Sequence, residues 1–245
     1  MTTTIFTIIS NERIAKSVYK MILSGNASEI TRAGKFVNIK LDGFYLRRPI
    51  SVCDCSDDML TIIYKAVGKG TEYMATLKSG QTLDILLPLG NGYSLDNGAK
   101  MPLILGGGVG VPPLYNLAKR LIHGGASVTA VLGFNTADEV FYADEFAALG
   151  ANVIVTTADG SVGEKGFVTD VMDKIDYDYL YCCGPEPMLK AVYNKSQTSG
   201  QFSFEERMGC GFGACMGCSC KTKYGNKRIC KDGPVMKKEE ILWEA

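Results

Sequence analysis

The chain has 245 residues and is 46% hydrophobic, which is enough for two compact domains with their own cores and a small appendage. Its 26 basic residues balance its 26 acidic residues, and this balance argues against a nucleic-acid partner. No uninterrupted apolar run approaches the roughly 18 residues that a membrane-spanning helix requires. The thiols, the absence of a signal peptide in Met1-Thr2-Thr3-Thr4 and the absence of a span predict a cytoplasmic protein without a membrane partner.

Residues 1–98 are predicted to form an antiparallel β-barrel. Short runs of β-prone residues alternate here with Gly, Asn, Asp and Ser, which is the pattern expected of a small barrel. The predicted strands are Thr4–Ile9, Ser17–Leu23, Lys35–Leu41, Leu60–Val67 and Thr82–Leu87.

The first motif within this segment is Arg47-Arg48-Pro49-Ile50-Ser51. An arginine at a strand end, such as Arg48, can bind a pyrophosphate through two N–H groups, and the hydroxyl of Ser51 can reach a ring heteroatom. A solvated pair of arginines is the alternative interpretation. The motif is therefore a candidate nucleotide site that depends on its neighbours.

The second motif runs from Ile63 to Thr71 and joins a predicted strand to Gly68-Lys69-Gly70-Thr71. A short helix follows, with Tyr73, Met74 and Leu77 on one face and Gly80 as a plausible stop. Backbone amides at a strand–glycine–helix junction form an anion site. An ordinary glycine turn is the alternative.

Residues 99–200 are predicted to form a doubly wound, parallel α/β domain, because strands and helical stripes alternate along them. A helix begins at Pro112-Pro113, a second is marked by Val168, Val171, Met172 and Ile175, and a third follows Gly184-Pro185-Glu186-Pro187. The predicted strands are Pro102–Leu105, Ser127–Gly133, Asn152–Thr156 and Tyr179–Cys183.

The glycine-rich turn after the first of these strands departs from the G-x-G-x-x-G fingerprint, because Val111 stands where the last glycine belongs. Gly107, Gly108 and Gly110 still allow a pyrophosphate or a nicotinamide to approach the backbone closely. We therefore predict that they contact a dinucleotide.

The dinucleotide is predicted to be NAD(H) rather than NADP(H). No Lys or Arg occurs from Leu121 to Glu164, whereas Asp138 and Glu139 follow the second strand. A 2′-phosphate requires a cation at this position, and an acidic residue suits a free ribose hydroxyl. The alternative is that the two acidic residues only begin the next helix.

Cys182 and Cys183 end the last predicted strand of the domain, just before Gly184-Pro185. Ligands of open α/β sheets bind outside the carboxyl ends of the strands. We predict that the Cys183 thiol touches the nicotinamide during hydride transfer, with a buried structural cysteine as the alternative. Cys182, Cys53 and Cys55 are assigned to structure.

Four cysteines near the end of the chain have the C-x₄-C-x₂-C…C spacing of a plant-type [2Fe–2S] site. They are Cys210, Cys215, Cys218 and Cys230. The odd number of cysteines disfavours a disulfide framework, and a single C-x₂-C pair disfavours a structural zinc site. Cys220 is an alternative to Cys218 as the third ligand.

The order of a β-barrel, an α/β domain and a cysteine loop resembles the ferredoxin–NADP⁺ reductase superfamily, and within it the electron-transfer subunits of NAD-dependent (class B) dihydroorotate dehydrogenases. The resemblance covers essentially the whole chain. It implies a multi-domain α/β plus β fold: an FAD-binding barrel (1–98), an NAD-binding domain (99–200) and a small [2Fe–2S] domain (201–245). It is carried by Arg48-Pro49-Ile50-Ser51, Ile63–Thr71, Gly106–Pro113, Cys183-Gly184-Pro185, Glu206 through Cys220, and Cys230-Lys231-Asp232-Gly233-Pro234-Val235.

The resemblance also implies which residues hold FAD. Arg48 lies toward the pyrophosphate and Ser51 near the isoalloxazine. Many reductases of the superfamily have an aromatic residue that stacks on the flavin at the position of Ile50, and we predict that Tyr64 replaces it. The implied FAD-binding residues are Arg48, Pro49, Ile50, Ser51, Ile63, Tyr64, Lys65, Gly70 and Thr71.

The implied function is that of an oxidoreductase subunit that passes electrons through a [2Fe–2S] cluster and FAD to NAD⁺. Its partner is an FMN-containing catalytic subunit that oxidises dihydroorotate to orotate in pyrimidine biosynthesis, usually within a heterotetramer. Phe212 and Met216 are candidates for the partner contact, and packing against the chain's own FAD domain is the alternative. A subunit of an NADH-dependent ferredoxin or sulfide-linked oxidoreductase is the second candidate function, and a zinc-stapled binding module or redox sensor is a third.

Overall fold

The computed structural model describes residues 1–243 and begins with a closed antiparallel barrel of strand order β1-β2-β5-β4-β3-β6. This confirms the predicted barrel. The helix α1 (Lys69–Thr76) follows the fifth strand of the barrel and precedes the sixth. The strands are β1 (Thr2–Ala15), β2 (Val18–Ser24), β3 (Phe36–Ile39), β4 (Arg48–Cys55), β5 (Met59–Lys65) and β6 (Thr82–Leu89).

The barrel forms because its strands alternate apolar and polar side chains. In β6 the buried residues are Leu83, Ile85, Leu87 and Leu89, and the residues between them are more exposed. A period of two places every second side chain on the same face of a strand, so Leu83, Ile85 and Leu87 face the barrel interior, while Leu89 packs in a core shared with the α/β domain and the cysteine segment. Phe6, Met21 and Leu60, among others, fill the same interior.

The second part is a parallel sheet with the strand order β10-β9-β8-β7-β11-β12. Helices α2 and α3 pack on one face and α4 and α5 on the other, which confirms the doubly wound architecture. The strands are β7 (Pro102–Gly107), β8 (Thr129–Phe134), β9 (Asn152–Thr157), β10 (Glu164–Lys165), β11 (Tyr179–Cys183) and β12 (Gly200–Ser203). The helices are α2 (Pro112–His123), α3 (Ala143–Ala148), α4 (Val168–Val171) and α5 (Glu186–Lys195).

The C-terminal segment is anchored on this sheet. Its hairpin, β13 (Ser219–Thr222) and β14 (Gly225–Arg228), follows the cysteine loop, and β15 (Val235–Lys237) pairs antiparallel with β12 at the sheet edge. The predicted third domain ends with Glu244 and Ala245, which lie outside the described residues.

The barrel packs against α2 of the α/β domain. The Asn116 amide donates to an Asp54 carboxylate oxygen at 2.6 Å, and Lys119 forms an ion pair with the same carboxylate at 2.8 Å. The β5 residue Ile63 is buried in the core cluster that includes α2. Within residues 1–243, no helix has the length and apolar character needed to cross a membrane.

Candidate functional site

A cavity of about 500 Å³ opens at the carboxyl ends of the central strands, beside the barrel. It lies where the strand order reverses between β7 and β11, which is the position at which open α/β sheets bind nucleotides. We call it the nucleotide cleft. Its walls include the predicted residues Gly107, Gly108, Gly110, Glu139 and Lys65.

The three glycines of the cleft lack a side chain for different structural reasons. A Cβ on Gly110 would lie 2.3 Å from the Cys183 carbonyl oxygen, and one on Gly107 would lie 2.5 Å from the Met188 sulfur. Gly108 has a φ of +51° and open space around its missing Cβ. Thus Gly107 and Gly110 let the turn pack against the end of β11 and α5, while Gly108 leaves the cleft open.

The two acidic residues after β8 occupy different environments. The Glu139 carboxylate lies in the cleft, where it forms an ion pair with Lys65 at 3.0 Å and accepts a hydrogen bond from the Asn135 amide at 2.7 Å. Burial alone would raise the pKa of Glu139, but these hydrogen bonds outweigh it and hold the pKa below its usual value. Asp138 is not part of the cleft wall and pairs with Lys16 at 3.0 Å instead.

On the barrel, the structure brings Arg48 and Gly70 together. A Cβ on Gly70 would lie 2.1 Å from the Arg48 Nε, so the guanidinium occupies the space that a side chain would need. The guanidinium also lies 4.9 Å from the Phe44 ring centroid and donates to the Leu46 carbonyl. The arginine is therefore held at the start of α1, where backbone amides add to its positive potential.

The other residues predicted for FAD lie on β4, β5 and the turn that follows. Ser51 is half-buried and pairs with Phe36 on the neighbouring strand β3, and Pro49 pairs with Asn38 on the same strand. Ile50 is half-buried against the barrel core. The Thr71 hydroxyl accepts a hydrogen bond from the Val67 amide at 3.0 Å, so it organises the start of α1.

The four predicted cluster ligands form two pairs. The Cys215 backbone N–H donates to the Cys210 Sγ at 3.5 Å, and the Cys230 backbone N–H donates to the Cys218 Sγ at 3.4 Å. Within residues 1–243, no three metal-binding side chains converge as they would around a single ion. A [2Fe–2S] core is held by four thiolates, two at each iron, and the two pairs of cysteines supply that number and grouping.

Backbone amides surround the first of these thiols. The Cys210 Sγ accepts hydrogen bonds from the N–H groups of Ala214 at 3.2 Å and of Phe212 and Cys215 at 3.5 Å. Burial raises its pKa, but these amides outweigh burial and lower the pKa to about 6. The thiolate that a metal requires is thus already favoured by the loop.

Comparison with known proteins agrees with this geometry. Residues 205–242 match the iron–sulfur cluster binding domain of dihydroorotate dehydrogenase B, and residues 104–194 match the oxidoreductase NAD-binding domain. The electron transfer subunit of NAD(+)-dependent dihydroorotate dehydrogenase B from Fusobacterium nucleatum is 48% identical, with 94% of each chain covered. The chain belongs to this family of electron transfer subunits.

Other members and solved structures extend the likeness. The corresponding Geobacillus subunit is 45% identical over 96% of this chain and 97% of its own. The structure of an NADH-dependent reduced ferredoxin-NADP oxidoreductase is 33% identical, with a TM-score of 0.88 over 97% of this chain and 90% of its own. Phthalate dioxygenase reductase, at 21% identity and a TM-score of 0.67 over 82% of this chain and 69% of its own, shares the fold.

Tyr64 does not provide the flavin-stacking ring that the sequence predicted. Its side chain is 2% exposed, stacks on Tyr19 with centroids 5.8 Å apart, and donates its hydroxyl hydrogen to Asn11 at 2.9 Å. The reason is strand alternation: Tyr64 faces the barrel interior, whereas Ile63 and Lys65 face the α/β domain. The tyrosine is a core residue of the barrel.

Cys183 lies at the carboxyl end of β11, as predicted, but its side chain is 2% exposed and is not part of the cleft wall. Burial raises the pKa of its thiol. The neighbouring Gly184 and Pro185 do line the cleft. The contact between Cys183 and a nicotinamide stays a prediction.

Sequence analysis missed two polar residues of the cleft. Thr156, at the carboxyl end of β9, is 1% exposed and its hydroxyl has no hydrogen-bond partner. Glu205 follows β12 and also lines the cleft. The residue as a whole is exposed, but partial burial of its carboxyl group raises the pKa of that group. The signal for Thr156 was its place at the ligand-binding end of a correctly predicted strand.

Proposed function

We propose that this chain is the electron-transfer subunit of an NAD-dependent dihydroorotate dehydrogenase, passing electrons from an FMN-containing catalytic subunit to NAD⁺. The observation that carries the proposal is that Cys210 lies beside Cys215 and Cys218 beside Cys230, next to the barrel, where the Asn38 amide donates to the Cys210 carbonyl. A cluster site that lies against a flavin-type barrel suits a protein that delivers electrons to another subunit.

The cofactors supply the redox chemistry: FAD exchanges two electrons with NAD(H) and single electrons with a [2Fe–2S] cluster. Arg48, beside Gly70, would bind the FAD pyrophosphate, and Ser51 would lie near the isoalloxazine. The remaining FAD contacts would come from Pro49, Ile50, Ile63, Lys65 and Thr71, with Tyr64 supporting them from the barrel core. Residues 1–98 would bind FAD, residues 99–200 would bind NAD(H), and residues 201–245 would hold the cluster.

In the nucleotide cleft, Gly107, Gly108 and Gly110 would lie against the NAD(H) pyrophosphate or nicotinamide. Glu139 would accept a hydrogen bond from the adenosine ribose, with Lys65 holding its carboxylate in place. Asp138, paired with Lys16, would contribute only through its negative charge. Cys183 would support the nicotinamide end of the cleft from beneath the turn.

Cys210 and Cys215 would bind one iron of the cluster, and Cys218 and Cys230 the other. Cys218 is favoured over Cys220 because its Sγ accepts a hydrogen bond from the Cys230 backbone N–H at 3.4 Å. The exposed apolar side chains of Phe212 and Met216 flank the site and suit a contact with the catalytic subunit. We place the assembly in the cytoplasm as a heterotetramer.

A second candidate is a flavin and iron–sulfur subunit of an NADH-dependent ferredoxin oxidoreductase. The 33% identity and TM-score of 0.88 with such a structure favour it. The identities of 45–48% with dihydroorotate dehydrogenase B subunits favour the first function. The two candidates differ in the protein that receives or donates the electrons.

The test of the cofactor assignment is the absorption spectrum of the anaerobically purified protein, with counts of iron, sulfide, flavin and zinc. We expect a coloured protein with one flavin and two irons with two sulfides per chain. A colourless, zinc-containing protein would exclude the proposal. It would instead support a zinc-stapled module.

A further inference from the structure

A single polar residue, Asn38, stands among the buried residues of β3. Its neighbours Phe36, Val37 and Ile39 are apolar, and all four are buried, with Asn38 only 1% exposed. Barrel strands of this kind are stabilised by apolar side chains. The amide is therefore an exception that calls for a reason other than packing.

The contacts of Asn38 join two of the sites described above. Its side-chain Nδ2 donates to the Cys210 carbonyl at 3.3 Å. On the other side of its strand it pairs with Pro49, and its own carbonyl accepts a hydrogen bond from the Arg47 guanidinium at 3.3 Å. Asn38 thus lies between the motif predicted for FAD and the first cysteine of the cluster loop.

The amide is only half satisfied. The Asn38 Oδ1 is buried and has no hydrogen-bond partner. A leucine of similar size would avoid this unpaired acceptor, so the amide is retained at a cost to stability. A buried polar atom without a hydrogen-bond partner is expected chiefly at positions that serve function.

We infer that Asn38 is a positioning residue that fixes the cluster loop against the barrel. The Cys210 thiolate is surrounded by the amides of Phe212, Ala214 and Cys215, and the orientation of this turn depends on the peptide that begins it. The bond from Asn38 holds the carbonyl of that peptide. The inference rests on the proposed function, because the bond matters for a redox chain only if a cluster is bound.

The loop is shaped to accept this contact. Gly211 has a φ of +80°, and a Cβ there would lie 2.5 Å from the Asn38 Nδ2. The absence of a side chain at Gly211 is therefore what allows the amide to reach the preceding carbonyl. The contact can be broken from either side, by changing Asn38 or by adding a methyl group at 211.

The first variant is Asn38→Leu, with Asn116→Leu as its control. Asn116 is also a buried asparagine that links the barrel to another part of the protein, but it lies on α2 and bonds to Asp54. We expect Asn38→Leu to lose its cluster to a chelator about tenfold faster than the wild type, because removing groups that hydrogen-bond to the ligand segment commonly weakens metal binding by about tenfold or more. The electron paramagnetic resonance spectrum of the reduced cluster should change as well, and Asn116→Leu should alter neither property.

The second variant is Gly211→Ala, with Gly225→Ala as its control. Gly225 has a φ of +103° but nothing within 4 Å of its missing Cβ, so alanine there adds backbone strain without a clash. We expect Gly211→Ala to lose its cluster faster than Gly225→Ala. The double variant Asn38→Leu/Gly211→Ala should be less than additive, because both changes break the same bond.

These outcomes separate the inference from the function on which it rests. A wild-type protein without flavin or iron would overturn the proposed function. A loaded wild type, with Asn38→Leu and Gly211→Ala as slow to lose the cluster as their controls, would overturn the positioning role alone. If Asn38→Leu does not fold, Gly211→Ala against Gly225→Ala decides the question.

Discussion

At the scale of single residues, Gly70 decides where Arg48 can be. The guanidinium fills the space of the missing side chain at the start of α1. We predict that Gly70→Ala displaces Arg48 and weakens FAD binding by about 2 kcal/mol, or roughly 30-fold in Kd, the usual value of a hydrogen bond to a charged group. Flavin fluorescence titration of the flavin-free protein measures the effect.

The matched control for this change is Gly68→Ala in the same turn. Gly68 has nothing within 4 Å of its missing Cβ and is not restricted to a positive φ. It should bind FAD nearly as the wild type does. Equal Kd values for Gly70→Ala and Gly68→Ala would show that Arg48 does not hold the cofactor.

Cys230 is the proposed ligand most distant in sequence from the loop. Cys230→Ser should remove or destabilise the cluster while FAD remains bound, because a hydroxyl is a poor replacement for a soft thiolate. Cys220→Ser, which changes the thiol outside the two pairs, should retain the cluster. Iron and flavin analysis of both proteins shows which of the two cysteines the cluster requires. A normal iron content in Cys230→Ser would mean that another residue is the fourth ligand.

How far single residues can be predicted from sequence depends on the interaction. The cysteine set could be proposed from sequence because three of its four members lie within one loop, and it stays a prediction. The role of Tyr64 was not, because its neighbour Tyr19 lies on another strand. The alternation of side chains along β5 would have indicated that Ile62 and Tyr64 face the same side.

At the scale of elements, the Lys65–Glu139 ion pair joins β5 of the barrel to the turn after β8. The pKa of Glu139 is lowered in the folded protein, so its charge stabilises the fold at pH values above its unfolded pKa. That stabilisation is lost as the pH falls below the ordinary value of 4.5 and through the lowered pKa. Glu139→Gln should therefore cost about 1 kcal/mol near neutral pH and less in acid.

Urea unfolding of the wild type and Glu139→Gln between about pH 3 and pH 7 measures this difference. Glu164→Gln is the control, since Glu164 forms a longer, more exposed pair with Lys174 at 3.6 Å. Its stability should follow that of the wild type at every pH. A difference for Glu139→Gln that grows toward acid pH would contradict the assigned direction of the pKa shift.

We also predict that the turn after β8 selects the nucleotide that the cleft binds. Glu139 faces the cleft, and its carboxylate would repel a 2′-phosphate. Lys65 lies beside it, but its charge is already paired with that carboxylate. We predict higher kcat/KM with NADH than with NADPH in steady-state reduction of an artificial acceptor, and equal or better efficiency with NADPH would contradict the prediction.

Elements with strong periodicity were predicted well, and those that depend on tertiary contacts were not. The helix α2 agrees with the sequence pattern because its apolar residues repeat at helical spacing, and the strand β11 agrees because it is a short, continuous, buried run. The strand β4 was missed, since a proline near its start weakens the strand pattern. The helix α3 has only six residues and begins after Tyr142 at a φ of +67°, so no local capping signal marks it.

At the scale of the whole molecule, the nucleotide cleft, the proposed FAD site and the cysteine loop all adjoin the barrel. The nucleotide cleft lies between the α/β domain and the barrel, Arg48 and Gly70 lie on the barrel, and Asn38 connects the barrel to the cysteine loop. The sequence predicted the three parts in order along the chain. Their contacts could not be predicted, because they join residues as far apart as Asn38 and Cys210.

We propose that electrons from dihydroorotate reach NAD⁺ only through this chain. The most direct test is to co-express it with the catalytic subunit of the same organism, purify the complex anaerobically and measure NADH formation from dihydroorotate and NAD⁺. We predict NADH formation by the complex and none by either subunit alone. With Cys230→Ser, dihydroorotate oxidation by an artificial acceptor should persist without NADH formation, and NADH formation at the wild-type rate by that variant would contradict the account.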